Sequence, residues 1–263
     1  MGRAGQRPPE IPPRQGRADD AGDSGALRIW GIHAVEAVLA NEARTIGRLL
    51  LTENAASRLA PRISTRSLTP MTVSPRDLDR LVGDDAVHQG AVVETLPLAE
   101  PDLVTLIAAA TDTASPIVVL DQVTDPHNVG AILRSAAVFG AAGLVMTSRH
   151  SPPLGGALAK AASGALELVP IVLVGNLART LAELGDAGVR RLGLDGEGDR
   201  AIEEEDFAAP VALVLGAEGK GLRRLTREHC DALVRIGAAG GLASLNVSNA
   251  AAVALYAARR ARP

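Results

Sequence analysis

The stretch that decides the fold lies late in the chain, at residues 211–252, and reads VALVLGAEGKGLRRLTREHCDALVRIGAAGGLASLNVSNAAA. Its first five residues are apolar and rich in β-branched side chains, which predicts a strand that is buried on both faces. A glycine-rich loop follows, in which Gly216 lets the backbone approach a ligand and Glu218 places a carboxylate at the end of the strand. A second short strand, 232–236, leads to another glycine loop and then to a helix that begins near Val247. Two glycine loops thus follow two strands.

An earlier segment at 121–135, DQVTDPHNVGAILRS, also places polar residues after a predicted strand. The Asp125-Pro126 pair predicts a turn, and a helix follows that begins around Asn128. Arg134 lies about a turn and a half farther along the helix. Both side chains are predicted to face one concave site, where helix N–H groups also favour a phosphate. An alternative stays open, in which Asn128 only caps the helix and Arg134 is a surface residue.

The C-terminal half of the chain alternates strand and helix patterns from residue 116 onward. This alternation is typical of a largely parallel sheet that helices cover on both faces. Asn176 is predicted to cap one of the helices, and the leucines that follow at helical spacing form its apolar stripe. The sequence therefore predicts an α/β fold for this half. The predicted strands are 117–120, 143–146, 168–174, 190–194, 211–215 and 233–236.

The N-terminal half is predicted to form a smaller α/β module with no catalytic constellation. Its order is helix, strand, helix, strand, which gives it no specific function by itself. The predicted elements are a helix that begins after Ile29, a strand at 46–51, a loop at 61–70, a helix at 75–81 capped by Ser74, and a strand that begins at residue 88.

Changes in composition along the chain predict the domain boundaries. Residues 1–27 combine four prolines with glycines and charges and hold almost no large apolar residue, so they are predicted to be a disordered tail. The small domain is assigned to 28–97 and the sheet domain to 116–263. Residues 98–115 between them are polar and small, and they are predicted to be a linker around a short helix at 102–110.

Bulk composition limits the class of protein. The chain has 263 residues, of which 47% are hydrophobic and only 2% aromatic, so aliphatic packing must supply the core. The net charge of −3 argues against a uniformly basic nucleic-acid-binding protein. The single cysteine, Cys230, excludes an intramolecular disulfide and a multi-cysteine metal site. No apolar run approaches the ~20 residues that span a bilayer, so a soluble, cytoplasmic protein is expected.

Three common enzyme classes lack their sequence motifs here. A dinucleotide-binding fold would place Gly-x-Gly-x-x-Gly after an early strand, whereas the glycine loops of this chain lie late. The phosphate-binding loop Gly-x-x-x-x-Gly-Lys-Ser/Thr is absent from the sequence, which argues against ATP or GTP hydrolysis. The sequence also lacks the Gly-x-Ser-x-Gly elbow of serine hydrolases.

Three ordered segments, centred on Asn128, Glu218 and Asn246, resemble the three motifs of the SpoU (TrmH-like) 2′-O-ribose RNA methyltransferases, members of the knotted SPOUT class. The resemblance covers nearly the whole chain beyond the tail, and three motifs at family-like separations are a far stronger signal than one glycine loop. The Gly-Ile-His-Ala-Val segment at 31–35 and the His-Gln-Gly segment at 88–90 resemble signatures of the substrate-binding domain in ribosomal members of the family. The resemblance therefore points to enzymes that methylate a guanosine in the peptidyl-transferase loop of 23S rRNA.

The resemblance implies an architecture, a cofactor and an assembly. The implied fold is a trefoil-knotted, parallel-sheet SPOUT methyltransferase domain preceded by a small α/β (L30e-like) domain that binds substrate RNA. The implied cofactor is S-adenosyl-L-methionine, with no metal, and the implied assembly is a homodimer whose sites form at the subunit interface. The implied catalytic residues are Asn128, Arg134, Glu218, Ser244 and Asn246. The implied cofactor-binding positions are Gly216, Ile236 and Leu245.

The implied reaction is in-line displacement of a sulfonium methyl group by a ribose 2′-hydroxyl of 23S rRNA or of a large-subunit assembly intermediate. A sulfonium donor is already activated, so the enzyme must align the reactants and handle the hydroxyl proton. A guanidinium is essentially never deprotonated in proteins, which favours Arg134 as a cation that holds phosphate and stabilises alkoxide charge. Glu218 and Asn246 are then orienting groups. Two alternatives stay open: a tRNA ribose 2′-O-methyltransferase, and a non-catalytic RNA-binding assembly factor of the same fold.

Overall fold

The N-terminal part of the chain forms a small mixed sheet flanked by helices. The structure, a computed structural model, describes residues 26–237 and 245–261. The strands of the small sheet are β1 (Leu27–Trp30), β2 (Ile46–Leu51), β3 (Met71–Thr72) and β4 (Ala91–Thr95), and its helices are α1 (Ile32–Ala40), α2 (Glu53–Thr65) and α3 (Pro75–Val82). The strand order is β1-β4-β2-β3, in which β1 and β2 run antiparallel to β4 and β2 runs parallel to β3.

The small domain contains three elements that the sequence pattern does not predict, namely β1, α2 and β3. The predicted loop at 61–70 is wrong in its first half, because α2 continues through Pro61. A proline inside a helix costs about 3 kcal/mol, and the almost fully buried Leu59 offsets part of this cost by anchoring α2 in the core. The predicted cap of α3 is confirmed, since Ser74 and Asp77 form a capping box.

Within the described residues, the C-terminal part forms a sheet of seven strands in which every neighbouring pair is parallel. Its strands are β5 (Ile117–Asp121), β6 (Gly143–Thr147), β7 (Ile171–Val174), β8 (Arg190–Leu194), β9 (Arg200–Ala201), β10 (Val211–Gly216) and β11 (Ala232–Arg235). Its helices are α4 (Leu103–Thr113), α5 (Pro126–Phe139), α6 (Gly156–Ala162), α7 (Leu177–Asp186), α8 (Arg224–Glu228) and α9 (Val247–Arg260). The predicted α/β fold is confirmed, and the trefoil knot stays a prediction. No helix in the described part of the chain is both long and apolar enough to cross a membrane.

Apart from shifts of one residue at strand ends, two strands of the large sheet differ from the sequence prediction. The strand predicted at 168–174 begins only at Ile171, because a 3-10 turn occupies Ala165–Glu167 and Pro170 has no N–H to donate. The two-residue strand β9 has no predictive signal, since two residues are too few to show periodicity.

Side chains of the large sheet alternate between two apolar layers. Val118 and Leu120 of β5 pack toward α5, α6 and α9, whereas Ile117 and Val119 pack toward α4 and α7. In this second layer, Leu106 of α4 is buried against the sheet, although α4 lies in the segment predicted to be a linker. Burying each of these aliphatic side chains fully stabilises the fold by about 1.5–3 kcal/mol. The two layers therefore hold the strands in register.

The strand order, β7-β6-β5-β10-β8-β11-β9, changes direction between β5 and β10. The chain adds β6 and β7 on one side of β5, whereas the later strands lie on the other side. Loops that leave the carboxyl ends of β5 and β10 therefore diverge, and a crevice opens between them, as at the switch point of other open parallel sheets. Residues 122–125 and 217–221 form these two loops.

A continuous apolar core joins the small sheet to the large one. Ile29 and Val35 of the small domain belong to the same buried cluster as Leu158 of α6. Gly164, just after α6, lies so close to α1 that a Cβ there would stand 2.9 Å from the Ala37 Cβ. The two domains therefore share a tightly packed interface.

Candidate active site

Three polar side chains, one from each sequence motif, meet at the crevice between β5 and β10. Asn246 Nδ2 donates hydrogen bonds to Asn128 Oδ1 at 3.1 Å and to Glu218 Oε2 at 3.4 Å. Asn128 Nδ2 donates to the same Glu218 oxygen at 3.3 Å. The structure thus brings together three of the five predicted catalytic residues, and we call this group the motif cluster.

Helix capping explains why both asparagine amides reach the cluster. Asp125 caps α5, because its side chain accepts the His127 N–H at 2.9 Å. Asn128 therefore lies in the first turn without capping the helix, which excludes the alternative that it is only a cap. Asn246 does cap α9: its Oδ1 accepts the Ser248 N–H at 2.8 Å, and its Nδ2 remains available to the cluster.

Glycines set the shape of the loop that carries Glu218. Gly219 and Gly221 have φ angles of 76° and 63°, in the left-handed region that favours glycine. A Cβ on Gly216 would lie 2.1 Å from the Gly221 carbonyl carbon, so the loop folds directly over the end of β10. Any side chain at Gly216 would displace this loop. The glycine pattern therefore positions the Glu218 carboxylate at the crevice.

A cavity of about 470 Å³, which we call the motif cavity, opens at the cluster. This volume lies within the range of small-molecule sites. Asn128 and Glu218 line it, and so do Gln122, His150 and Lys220, which the sequence pattern does not assign to the site. Gln122 and His150 carry one usable signal, because each follows the carboxyl end of a parallel strand, where such sheets place ligand-binding groups.

The structure does not bring Arg134 into the motif cluster of its own chain. This residue is exposed on α5, six positions after Asn128, which places it about 240° around the helix and roughly 9 Å along it. Within the described residues its guanidinium has no carboxylate or hydrogen-bond partner. Its donors are therefore available to an incoming anion.

The predicted cofactor-binding positions lie at the carboxyl edge of the same sheet. Gly216 ends β10, and Ile236 directly follows β11 with its side chain partly buried against the core. Leu245 lies just before α9 and is 50% exposed. These positions offer backbone groups and uncharged apolar surface, which fits a flat heterocycle such as adenine. The predicted catalytic residue Ser244 lies outside the described residues.

Other nucleophile and metal chemistries have no evident centre in the described residues. Burial raises the pKa of the Cys230 thiol to about 12, so this thiol is a poor nucleophile. Among residues 26–237 and 245–261, no group of three or more His, Cys, Asp or Glu side chains is arranged to hold a metal ion. His88 has a structural role, because its Nε2 contacts Asp79 at 3.0 Å and its Nδ1 accepts the Gly90 N–H at 3.0 Å.

Comparison with known sequences matches each half of the chain to a protein family. Residues 115–256 match the SpoU rRNA Methylase family, and residues 28–101 match a family described as RNA 2′-O ribose methyltransferase substrate binding. The 23S rRNA (guanosine-2′-O-)-methyltransferase RlmB of Pseudomonas putida is 40% identical over 244 residues, which cover 89% of this chain and 96% of that protein. The protein of the same name from Vibrio cholerae is 42% identical over 242 residues, with the same coverage of 89% and 96%.

A solved structure is similar in fold along nearly the whole chain. The SpoU methyltransferase AviRb from Streptomyces viridochromogenes, in complex with the cofactor AdoMet, has a TM-score of 0.77 and 27% sequence identity, and the match covers 93% of each chain. The family matches, the identity to the RlmB proteins and the fold agree with the resemblance that the three sequence motifs carry. This chain belongs to the SpoU rRNA methylase family.

Proposed function

We propose that this chain transfers a methyl group from S-adenosylmethionine to the 2′-hydroxyl of a guanosine ribose in 23S rRNA. The motif cluster of Asn128, Glu218 and Asn246 carries the proposal, because its hydrogen bonds join all three family motifs at one cavity. Relatives that align over 89% of this chain are named for this activity, which favours rRNA over tRNA as the substrate. A large-subunit assembly intermediate would present the same RNA.

In the proposed reaction, a bond forms between O2′ and the methyl carbon while the carbon–sulfur bond breaks. The electron pair of that bond stays on the sulfur of the departing S-adenosylhomocysteine, and the hydroxyl proton passes to solvent with help from the neighbouring phosphate. S-adenosylmethionine, when bound, supplies the methyl group on an activated sulfonium. The Asn128 amide and the Glu218 carboxylate, which the Asn246 amide holds in place, bind and orient the ribose, since together they offer a donor and acceptors to its hydroxyls. This alignment converts an encounter in solution into a reaction within one complex.

Arg134 supplies the positive charge that the motif cluster lacks. Its exposed guanidinium has no carboxylate partner in the described residues, so it takes a phosphate of the target nucleotide in a bidentate contact. The same cation stabilises the negative charge that develops on O2′. The phosphate that Arg134 holds assists removal of the hydroxyl proton.

A homodimer would bring Arg134 to a complete site. Val138 lies one turn after Arg134 on the same face of α5 and is 76% exposed. Tyr256 of α9 is 51% exposed, and its ring lies 5.9 Å from the ring of Phe139 of α5 between centroids. These groups form an exposed apolar patch across α5 and α9, and a second copy of the chain covers it. Arg134 then lies at the edge of this interface, next to the other subunit.

The oligomeric state tests this arrangement directly. The wild-type protein is expected to sediment as a dimer, and Val138→Glu is expected to sediment as a folded monomer, because it places a charge in the apolar interface. A wild-type monomer at the concentrations used for methyl transfer would overturn the two-subunit site.

The cofactor assignments follow from the same proposal. Gly216, Ile236 and Leu245 hold S-adenosylmethionine through backbone and apolar contacts at the carboxyl edge of the sheet. Ser244, two positions before Asn246 in the sequence, supports the third motif.

The domain assignments are part of the proposal as well. Residues 28–97 bind the RNA, residues 98–115 connect this domain to the next, and residues 116–263 form the methyltransferase domain. The substrate-binding family match at residues 28–101 supports an RNA-binding role for the small domain. The proposed site of action is the cytoplasm, where rRNA is made and assembled.

The test is transfer of radiolabelled methyl from S-adenosylmethionine to unmodified 23S rRNA and to total tRNA, followed by nuclease mapping of the product. Label at one guanosine ribose in the peptidyl-transferase loop is the expected result. Label in tRNA alone would keep the chemistry and overturn the substrate. If the protein binds the cofactor and labels neither RNA, it is a non-catalytic assembly factor instead.

A further inference from the structure

A second cavity, of about 560 Å³, lies beside the motif cavity, and we call it the arginine cavity. Gln122 and His150 line both cavities and therefore form the wall between them. The arginine cavity extends along the carboxyl ends of β6 and β7 to the start of α8. Its lining does not include the motif cluster, so the proposed chemistry leaves it without a role.

The charged side chains around the arginine cavity are cations. Arg149, Arg223 and Arg224 line it, and its lining in the described part of the chain contains no aspartate or glutamate. Arg223 is held by Asp121, whose fully buried carboxylate accepts the Arg223 Nε–H at 2.6 Å and the Arg223 backbone N–H at 3.0 Å. Arg224 pairs with the exposed Glu228 at 2.5 Å. Two of the three charges are therefore compensated by carboxylates outside the cavity.

Arg149 is the cation of this cavity whose charge is not compensated. It is exposed and has no carboxylate partner among the residues that the structure describes. Its turn is nevertheless fixed, because the buried Thr147 hydroxyl donates to the Arg149 carbonyl at 2.5 Å. At the shared wall, His150 and Gln122 have φ angles of 64° and 59°, which non-glycine residues rarely adopt. Strained backbone of this kind concentrates at ligand sites.

We infer that the arginine cavity binds a backbone phosphate of the substrate RNA next to the target nucleotide. The inference rests on the proposed function and adds a second contact for the same substrate. A guanidinium presents a fork of N–H donors that matches phosphate, and Arg149 keeps this fork free of carboxylates. Because the cavities share a wall, a single strand whose ribose enters the motif cavity continues past the arginine cavity. A phosphate contact there fixes the register of the strand and reads no base.

The test measures RNA binding by Arg149→Gln and Arg224→Gln over a range of KCl concentrations. The probe is an unmodified 23S rRNA fragment that contains the peptidyl-transferase loop, and methyl transfer is measured on the same samples. Arg149→Gln is expected to weaken RNA binding about tenfold. It should also reduce the slope of log affinity against log salt by about 0.7, the value for one phosphate contact on a single strand. Arg224→Gln should have a smaller effect, since Glu228 already compensates that charge.

Two further variants separate a phosphate contact from damage to the fold. Arg179→Gln is the matched control, because Arg179 is an exposed arginine of α7 that pairs with Glu183 and does not line the cavity. It should bind RNA with wild-type affinity and salt slope. Arg149→Lys keeps the charge and should restore most of the salt slope. Affinity for S-adenosylmethionine should be the same in all four variants.

The outcomes distinguish a failure of the proposed function from a failure of the phosphate contact. Lack of methyl transfer by the wild-type protein would overturn the proposed function. Normal transfer by the wild type, with unchanged RNA affinity and salt slope in both cavity variants, would overturn only the phosphate contact. An equal loss of affinity in Arg179→Gln would also overturn it, because the loss would then reflect overall charge.

Discussion

Two polar clusters in this chain use similar side chains with different results. At the junction of the two sheets, Arg44 and Glu167 form an ion pair whose side chains are 2% and 4% exposed. Arg44 Nε and Nη2 each donate to Glu167 at 2.9 Å, and Asn41 Nδ2 donates to it at 2.8 Å. Arg44 Nη1 donates to the Leu96 carbonyl at 2.8 Å. The motif cluster instead has longer hydrogen bonds, of 3.1 to 3.4 Å, and opens on a cavity.

This difference indicates that burial determines whether such a cluster stabilises the fold or remains available to a ligand. At the junction the charged groups are saturated with short hydrogen bonds, so the cluster holds the two sheets together and has no capacity left for a ligand. In the motif cluster, the Asn128 amide and the Glu218 carboxylate line the cavity and keep a donor and acceptors that the hydrogen bonds of the cluster do not use. Substitutions at the junction should therefore change stability, whereas substitutions at the motif cluster should change methyl transfer.

The largest expected effect tests the junction. Glu167→Ala leaves the Arg44 guanidinium buried without its carboxylate, which should lower the free energy of unfolding by about 3–5 kcal/mol. Urea denaturation followed by circular dichroism measures the loss. Glu183→Ala is the matched control, since it breaks an exposed pair with Arg179 and should cost less than about 0.5 kcal/mol. Equal losses in the two variants would show that burial does not set the strength of the junction.

The second-largest expected effect concerns methyl transfer at the site that the motif cluster and Arg134 form. Arg134→Ala should reduce the rate of methyl transfer by about 100- to 1000-fold, the cost of losing one group that stabilises developing negative charge. The free energy of unfolding should stay unchanged, because this side chain is exposed and unpaired in the described residues. Mixing Arg134→Ala with Glu218→Ala subunits should restore transfer, since a mixed dimer holds one intact site. If mixing restores nothing, the site does not use both subunits.

Much of the large sheet is predictable from sequence because its strands are apolar runs that end at glycine or polar residues. The strand predicted at 211–215, for example, spans Val211–Gly216. The small domain is less predictable, since Pro61 signals a loop while the burial of Leu59 keeps the helix intact. At this position the burial of Leu59 outweighs the local preference of Pro61 for a loop, and no local sequence pattern indicates that burial.

The candidate site also contains some residues that the sequence predicts and others that it does not. Asn128 and Glu218 are predictable because each lies in a recognisable motif that follows a strand. Gln122 and His150 form one wall only because β5 and β6 pair side by side, and the two residues are far apart in the sequence. The position of Arg134 on another face of α5 is readable from helical geometry, whereas its partner surface depends on assembly.

A smaller effect separates the two asparagines of the motif cluster. Asn246→Ala should lower the free energy of unfolding by about 1 kcal/mol, because it removes the cap of α9. Asn128→Ala should leave stability unchanged, because Asp125 caps α5. Both variants should slow methyl transfer about tenfold, the scale of one lost hydrogen bond, which is made to the substrate by Asn128 and within the motif cluster by Asn246. Urea denaturation and initial rates measure the two quantities, and equal stability of both variants would contradict the capping role of Asn246.

The smallest expected effect concerns a partly exposed ion pair in the small sheet. Hydrogen bonds from Arg48 at 2.6 Å and from Arg28 at 3.1 Å hold the pKa of the Glu94 carboxyl below its usual value. A lowered pKa contributes stability above the pKa of the unfolded chain, and this contribution is lost as the pH falls through the folded-state pKa. Glu94→Gln should therefore cost no more than about 1 kcal/mol at neutral pH, and the difference from the wild type should disappear in strong acid. Urea denaturation at both pH values measures it. A loss as large as that in Glu167→Ala would show that exposure does not weaken such pairs, and the contrast between the buried junction and the open motif cluster would then need another cause.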